Sequence, residues 1–383
     1  MNKNVLKINH LYDSILSAAI GINERKKLNR FISRDPVQYE KYSKQKAKEW
    51  LQRWSELGKT KDVFYRYYSR FIGESPDIVP DDIMHNVIEP LLNPMRFRGL
   101  YADKNMFDKL LKPFFNKPVT PQSPLRCING GLYDEEYYPI DSSRIDKIIT
   151  ECDADYLVAK PTIDTSSGKN VLFFDRKNDR YYLRGCDEVL DAKLLYEKLG
   201  KHFVVQKGLR QSEAMGRFNP CSINTLRIST YKSVESEEAV VLNGAVRIGK
   251  AGSYTDNVHS GGCRVGISPD GILKPSCSDQ FGNSFIEFNG IDFSKQEFII
   301  PNWNKVKEFA KNIAACLPHQ RILALDIALD CNDEPCLIEY NNYAFTVSAF
   351  QMTVGTVFGQ YTDEVIEYCK KHQKEATRIY LTY

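Results

Sequence analysis

Residues Ile322 to Asn342 read ILALDIALDCNDEPCLIEYNN, two β-type runs joined by a polar turn, and this pattern leaves the chain little choice of fold. Strand side chains alternate between faces, so Leu323, Leu325, Ile327 and Leu329 share one face while Ala324, Asp326 and Ala328 share the other. In the second run Leu337, Glu339 and Asn341 lie together, opposite to Ile338 and Tyr340. A turn centred on Asn332-Asp333 places Asp326 directly across from Glu339. Two carboxylates about 5 Å apart repel unless positive charge lies between them. A divalent cation answers this, with Asn341 as a neutral oxygen ligand, and hard oxygens that leave room for phosphate suit Mg²⁺. The alternative is an exposed face with solvated acids; the small flanking alanines and the apolar opposite face argue against it.

A second segment, YLVAKPTIDTSSGKNVLFFD, reads as strands Tyr156 to Lys160 and Asn170 to Asp175 around a loop with Ser166, Ser167, Gly168 and Lys169. Glycine lets backbone N–H groups turn toward an anion, and the hydroxyls and lysine add donors. An ordinary hairpin loop stays open as a reading, because the strand leads into a hairpin and not into a helix carrying Gly-Lys-Ser/Thr. Lys160 ends an apolar strand, where an ammonium needs an anionic partner. The run Phe203 to Gln206 exits into Lys207-Gly208, a candidate hinge between lobes. The stretch RIGKAGSYTDNVHSGG, from Arg247 to Gly262, is too polar for core and too rich in glycine for a helix, so either it is a surface excursion or its backbone approaches something closely.

Around these segments the texture changes once. Before Ile128-Asn129-Gly130-Gly131 the chain reads as mainly helical, with a helix start at Asp35-Pro36, another helix over Val63 to Ile72, and repeated prolines thereafter. Beyond it come further strands, Arg180 to Leu183, Asn224 to Tyr231 and Ala239 to Ile248, with helices near Asp191 to Leu199, Trp303 to Cys316 and Tyr361 to Lys371. The chain is therefore expected to be α+β. Residues 1–120 hold 22 Lys and Arg against 14 Asp and Glu, enough to meet a polyanion or simply to form a solvated face. The ten cysteines include no Cys-x-x-Cys pair, and no stretch approaches 18 apolar residues, so a reduced, cytoplasmic chain without a transmembrane segment is expected. No nucleic-acid-binding module is visible.

A lysine strand, a Ser/Gly loop, two Arg strands and an Asp followed by Glu-x-Asn come in the order that resembles the ATP-grasp fold, two α+β lobes that clamp ATP. INTLRISTY with Arg227, followed by Arg247 and the segment holding Asn257, His259, Gly261 and Gly262, is similar to the ligases that add glutamate to a ribosomal protein. NPCSINTLRI, DNVHSGG and DKNMFDKLL look still more like the sugar-transfer-associated ATP-grasp proteins found with cell-surface polysaccharide genes. The resemblance implies a helical region over residues 1–92, a leading segment over 93–135, a small lobe over 136–208 and a large lobe with the metal site over 209–383.

The resemblance also implies roles. Lys160 would bind the α- or β-phosphate, Ser167, Gly168 and Lys169 would close over the triphosphate, and Gln206 and Lys207 would lie beside adenine. Arg227 and Arg247 would contact the γ-phosphate and an acyl-phosphate made from it, with Asn257 and His259 beside them and Gly261 and Gly262 allowing close approach. Asp326, Glu339 and Asn341 would hold Mg²⁺. The activity implied is an ATP-dependent carboxylate–amine ligase acting on small molecules, glycan-linked ones included. Phosphotransfer to a sugar and a non-catalytic nucleotide-binding module are the alternatives. After Glu-x-Asn the chain departs from related ligases, with Asn342-Tyr343-Ala344-Phe345.

Overall fold

The computed structural model describes residues 3–34, 42–163 and 170–378, with the side chains of 3–7, 9 and 10 set aside. The expected helix start at Asp35-Pro36 and the loop residues Ser166, Ser167, Gly168 and Lys169 lie outside the described residues.

Helix α1 (Lys3–Ile32) leads, followed by α2 (Lys44–Ser55) and α3 (Val63–Ile72). Ser43 caps α2 by accepting from Lys46 N, and Trp50 and Trp54, one turn apart, bury the same face. Their indole N–H groups donate to Ile78 O at 2.7 Å and Pro76 O at 3.1 Å, so two large rings are buried without leaving a donor unpaired.

A six-stranded antiparallel sheet follows, built from β1 (Leu125–Ile128), β2 (Gly131–Tyr133), β3 (Tyr156–Pro161), β4 (Leu172–Lys177), β5 (Arg180–Leu183) and β6 (Phe203–Lys207) in the order β2-β1-β6-β3-β4-β5. Helix α4 (Ala192–Leu199), capped by Asp191, packs Leu194, Leu195 and Leu199 into its core.

The second sheet comprises β7 (Leu226–Lys232), β8 (Ala239–Ile248), β9 (Cys263–Ile267), β10 (Leu273–Ser278) and β11 (Ser284–Phe285); a separate ribbon, β12 (Glu287–Phe288) with β13 (Ile291–Asp292), precedes its last two strands, β14 (Ile322–Leu329) and β15 (Pro335–Asn341). Its order is β11-β10-β9-β8-β7-β14-β15, with antiparallel neighbours throughout. One face packs Leu323, Leu325, Ile327 and Leu329 against Val306, Ala310 and Ile313 of α5 (Trp303–Ala315). The other face shares a core, through Tyr231, Ile322 and Ala324, with α2, α3 and α6 (Thr362–His372).

That second face is therefore covered at one end by the N-terminal helices and free at the other to form a cleft. Asn93 marks the boundary. Its Nδ2 donates to Ile322 O and Asn342 O at 2.6 and 2.8 Å, while its Oδ1 accepts from Arg321 N and Ile322 N, which ties the start of β14 to the end of β15.

Candidate active site

Asp326 and Glu339 are cross-strand partners, as the alternation predicts. The reason is partly different from the simple register. The turn bonds Asp330 to Glu334, with Asp333 at φ +59°, and pairs Ile327 with Leu337. A bulge at Ile338 then shifts the ladder by one residue, and only beyond it do Asp326–Glu339 and Ala324–Asn341 pair. Leu337, expected on the carboxylate face, consequently lies with Ile327 in the apolar core, while Ile338 and Glu339 both reach the cleft.

The repulsion between the two acids is met within the chain by cations. Arg227, the β7 partner of Asp326, donates Nε and Nη2 to its carboxylate at 2.5 and 2.9 Å, and Arg247 from β8 donates Nη1 at 3.0 Å. Lys104 reaches Glu339 at 3.2 Å. Burial raises the pKa of Asp326 against the pull of Arg227 and Arg247. Burial pushes Glu339 the same way, but Lys104, Lys160, Arg227 and Arg247 outweigh it and hold this carboxyl at about 2. Arg247 is itself held from behind by Asp256, 3.1 Å away, whose Oδ2 also accepts from Thr225 N and Oγ1.

Two chambers meet at this cluster. The first, about 180 Å³, lies between the sheets and is lined by Tyr156, Lys160, Phe173, Gln206, Lys207 and Ile338, with Asp256 and Asp326 at its inner end. Lys160 is buried there, and burial and then Lys104 bring its ammonium down to about 8 against the pull of Glu339. Gln206, which lines this cleft, donates its Nε2 to Ser123 Oγ at 3.2 Å, and Lys207 N donates to Gln122 O. The second chamber, about 450 Å³, is lined by Arg98, Lys104, Arg227, Arg264, His259 and Asn341 among others. Arg247, Asn257 and Glu339 line both.

The segment from Arg247 to Gly262 is a fixed loop. Asn219 donates to Ser222 Oγ and to the carbonyls of Gly249, Lys250 and Ser253, and a Cβ on Gly249 would stand 2.4 Å from Thr255 O. Asn257 accepts from His259 N at 3.0 Å, and His259 Nδ1 meets Gln280 at 2.7 Å. Gly261 and Gly262 are not brought into either chamber. Gly261 takes φ +92°, Gly262 passes under Ile248 O where a Cβ would clash at 2.5 Å, and their amides bond Val258 O and Asn257 O. Their glycines are needed by the turn.

Sequence reasoning missed Lys104 and Arg264. Lys104 lies in the DKNMFDKLL motif, which Asn105 fixes by donating to Cys127 O and which Phe107 docks on Tyr340, rings 4.2 Å apart. Arg264 interrupts the buried strand CRVGI, the same signal that marked Lys160.

Among the described residues no group of three or more His, Cys, Asp or Glu is placed to hold a metal ion unaided. Asp326, Glu339 and the amide of Asn341 offer at most part of a coordination shell, which fits Mg²⁺ that arrives with phosphate oxygens and not an all-protein cage. All ten cysteines are unbridged, and no described helix is long and apolar enough to cross a membrane.

Among solved structures the chain is similar to D-alanine–D-alanine ligase from Bacillus anthracis, at 15% identity over 74% of this chain and 72% of that one, with a TM-score of 0.40. It is also similar to L-amino acid ligase from Bacillus licheniformis, at 13% identity over 65% of this chain and 42% of that one, TM-score 0.36. A third is N5-carboxyaminoimidazole synthetase from Staphylococcus aureus, at 10% identity over 73% and 53%, TM-score 0.38, so the chain spans about half the length of these last two. No curated protein matches the sequence. A family model described as sugar-transfer associated ATP-grasp matches residues 84–366, about three quarters of the chain. With that match the α+β ATP-grasp fold with a mainly helical N-terminal region, expected from the motifs, is established, and the chain belongs to the sugar-transfer associated ATP-grasp family.

Proposed function

We propose that the chain is an ATP- and Mg²⁺-dependent carboxylate–amine ligase that forms an amide through an acyl-phosphate. The observation that carries this reading is the wall common to both chambers, where Arg247, Asn257 and Glu339 face the cleft between the two sheets on one side and a larger basic chamber on the other. ATP occupies the cleft between the sheets, with Lys160 on its phosphates and Tyr156, Phe173 and Ile338 around the base. Ser167, Gly168 and Lys169 belong to this reading as the loop over the triphosphate, and Lys207 as a backbone contact for adenine.

A carboxylate in the second chamber attacks the γ-phosphorus at the shared wall, and the bond to ADP breaks. Arg227 and Arg247 then face the charge that develops, already oriented by Asp326 and Asp256, so little reorganisation is needed as it forms. The amine attacks the acyl carbon next, and phosphate leaves with the electron pair. Asp326, Glu339 and Asn341 would hold Mg²⁺, which when bound supplies charge neutralisation at the β- and γ-phosphates. His259 borders the acceptor side and would help to seat the amine.

The family's association with sugar transfer supports a sugar carboxylate as the acid, joined to an amino acid or amine in polysaccharide formation. Two members of the basic first third, Arg98 and Lys104, line the acceptor chamber, which fits an acidic substrate. The test is ADP release screened over hexuronic acids, free and phosphorylated, crossed with amino acids. The reading expects release only when acid and amine are both present, and its loss in Glu339→Ala. Phosphorylated sugar without amide would instead identify a phosphotransferase.

A further inference from the structure

The ligase reading uses Arg227 and Arg247, and each of these has a carboxylate partner. Arg264 does not. It is 7% exposed, makes no ion pair or side-chain hydrogen bond among the described residues, and its Nη1 is buried without any acceptor. A guanidinium taken out of water without a partner is costly, and the cost is kept only where something else repays it. Its nearest neighbours add to that cost. Arg264 is the register partner of Arg247, and burial, then Arg247 and Arg227, press its pKa down to about 9 against the pull of Asp279, a carboxylate that forms no ion pair with it among the described residues.

The placement gives the missing partner an address. Arg264 lines the acceptor chamber but not the nucleotide cleft, whereas Arg247, on the adjacent strand, lines both. Five cations, Arg98, Lys104, Arg227, Arg247 and Arg264, border the acceptor chamber against one carboxylate, Glu339. Asp326 and Asp256, behind the wall, balance Arg227 and Arg247, and Lys104 balances Glu339. Arg264 and Arg98 are left over. Arg98 lies at the rim with its guanidinium 3.6 Å from the Tyr343 ring centre, while Arg264 is deep.

We propose that the acceptor chamber takes an acid with two anionic groups, and that Arg264 anchors the one that does not react. The reacting carboxylate lies at the shared wall beside Arg247. The second group, carboxylate or phosphoryl, lies one strand over on Arg264, and with neighbouring strands about 5 Å apart, two groups about that far from each other suit the pair. A planar fork with one nitrogen already out of water selects an oxyanion strongly, since leaving it unfilled keeps the charge unpaired. Which group reacts rests on the ligase reading; the binding of a dianion does not.

The test is titration calorimetry on the full chain without nucleotide, which separates it from any failure of turnover. Glutarate and 3-phosphonopropionate carry two anionic groups at about the required spacing, and butyrate carries one. Wild type is expected to bind at least one of the dianions more than tenfold more tightly than butyrate, and the better of the two tells carboxylate from phosphoryl. In Arg264→Gln that preference falls at least tenfold, Arg264→Lys keeps part of it, and butyrate is unchanged. With no ligand added, Arg264→Gln melts no lower than wild type, because the change removes an unpaired charge. Equal binding of glutarate, 3-phosphonopropionate and butyrate by wild type, undiminished dianion binding by Arg264→Gln, or a lower melting temperature for that variant overturns the proposal.

Discussion

Asp326→Asn removes one charge and almost no volume from the centre of the large sheet. Asp326 is 2% exposed and accepts three hydrogen bonds from two guanidinium groups. Charge-assisted bonds of this kind contribute about 1.5–3 kcal/mol each, an upper bound here because the asparagine oxygen still accepts one of them. Arg247 also keeps Asp256 at 3.1 Å. What remains is chiefly Arg227, 16% exposed at its side chain and left beside a neutral amide. Breaking a buried pair by removing one partner costs about 3–5 kcal/mol, and the residual access of Arg227 to water puts the expectation near the lower end, about 3 kcal/mol. Urea unfolding read by tryptophan fluorescence measures it, since Trp50, Trp54 and Trp303 all lie in the body that contains this sheet. Asp256→Asn, which frees an arginine still held by Asp326, should cost less. A change below about 0.5 kcal/mol for Asp326→Asn, or a larger one for Asp256→Asn, would refute the view that Asp326 is the hub of the arginine pair.

Three further expectations concern Lys160 and Asn93. The folded chain releases the Lys160 proton near pH 8 and the unfolded chain near 10.5, so the unfolded state binds more protons between those values and stability should rise with pH across that window, a rise absent from Lys160→Met. Nucleotide affinity should move the opposite way, weakening above about pH 8 as the ammonium that meets phosphate is lost, and fluorescent-nucleotide titration against pH reads this directly. Asn93→Ala strips four hydrogen bonds, three of them buried, that join the ends of β14 and β15, and at about 1–3 kcal/mol for each group left unsatisfied, with local relaxation, a loss of about 3 kcal/mol is expected in the same urea assay.

Much of this was legible in the sequence because alternation is a strong signal. The bounds of β5, β8 and β14, and the facing of Asp326 and Glu339, follow from residue order alone. The bulge at Ile338 was not legible, since a bulge adds a residue without changing composition, and so Leu337 was assigned to the wrong face. Helix α1 carries no single apolar stripe: Leu28 is buried while Leu11, Ile15 and Ile22 are exposed, so its periodicity cancels. Gly261 and Gly262 drew attention as phosphate-loop glycines, but their need for glycine comes from a turn that passes beneath Ile248. Lys104 and Arg264 were invisible as a pair because they are 160 residues apart, and only the packing of the DKNMFDKLL segment against Tyr340 brings the first to the chamber that the second lines.

Acyl-phosphate formation at the wall shared by the two chambers would activate the carboxylate. Its most direct measure is oxygen transfer: an acid that triggers ADP release is supplied with ¹⁸O in its carboxylate, and the released inorganic phosphate is weighed by mass spectrometry. The account predicts one ¹⁸O atom per phosphate, carried over when the acyl-phosphate is displaced by the amine. Unlabelled phosphate, or label retained entirely in the organic product, would contradict it.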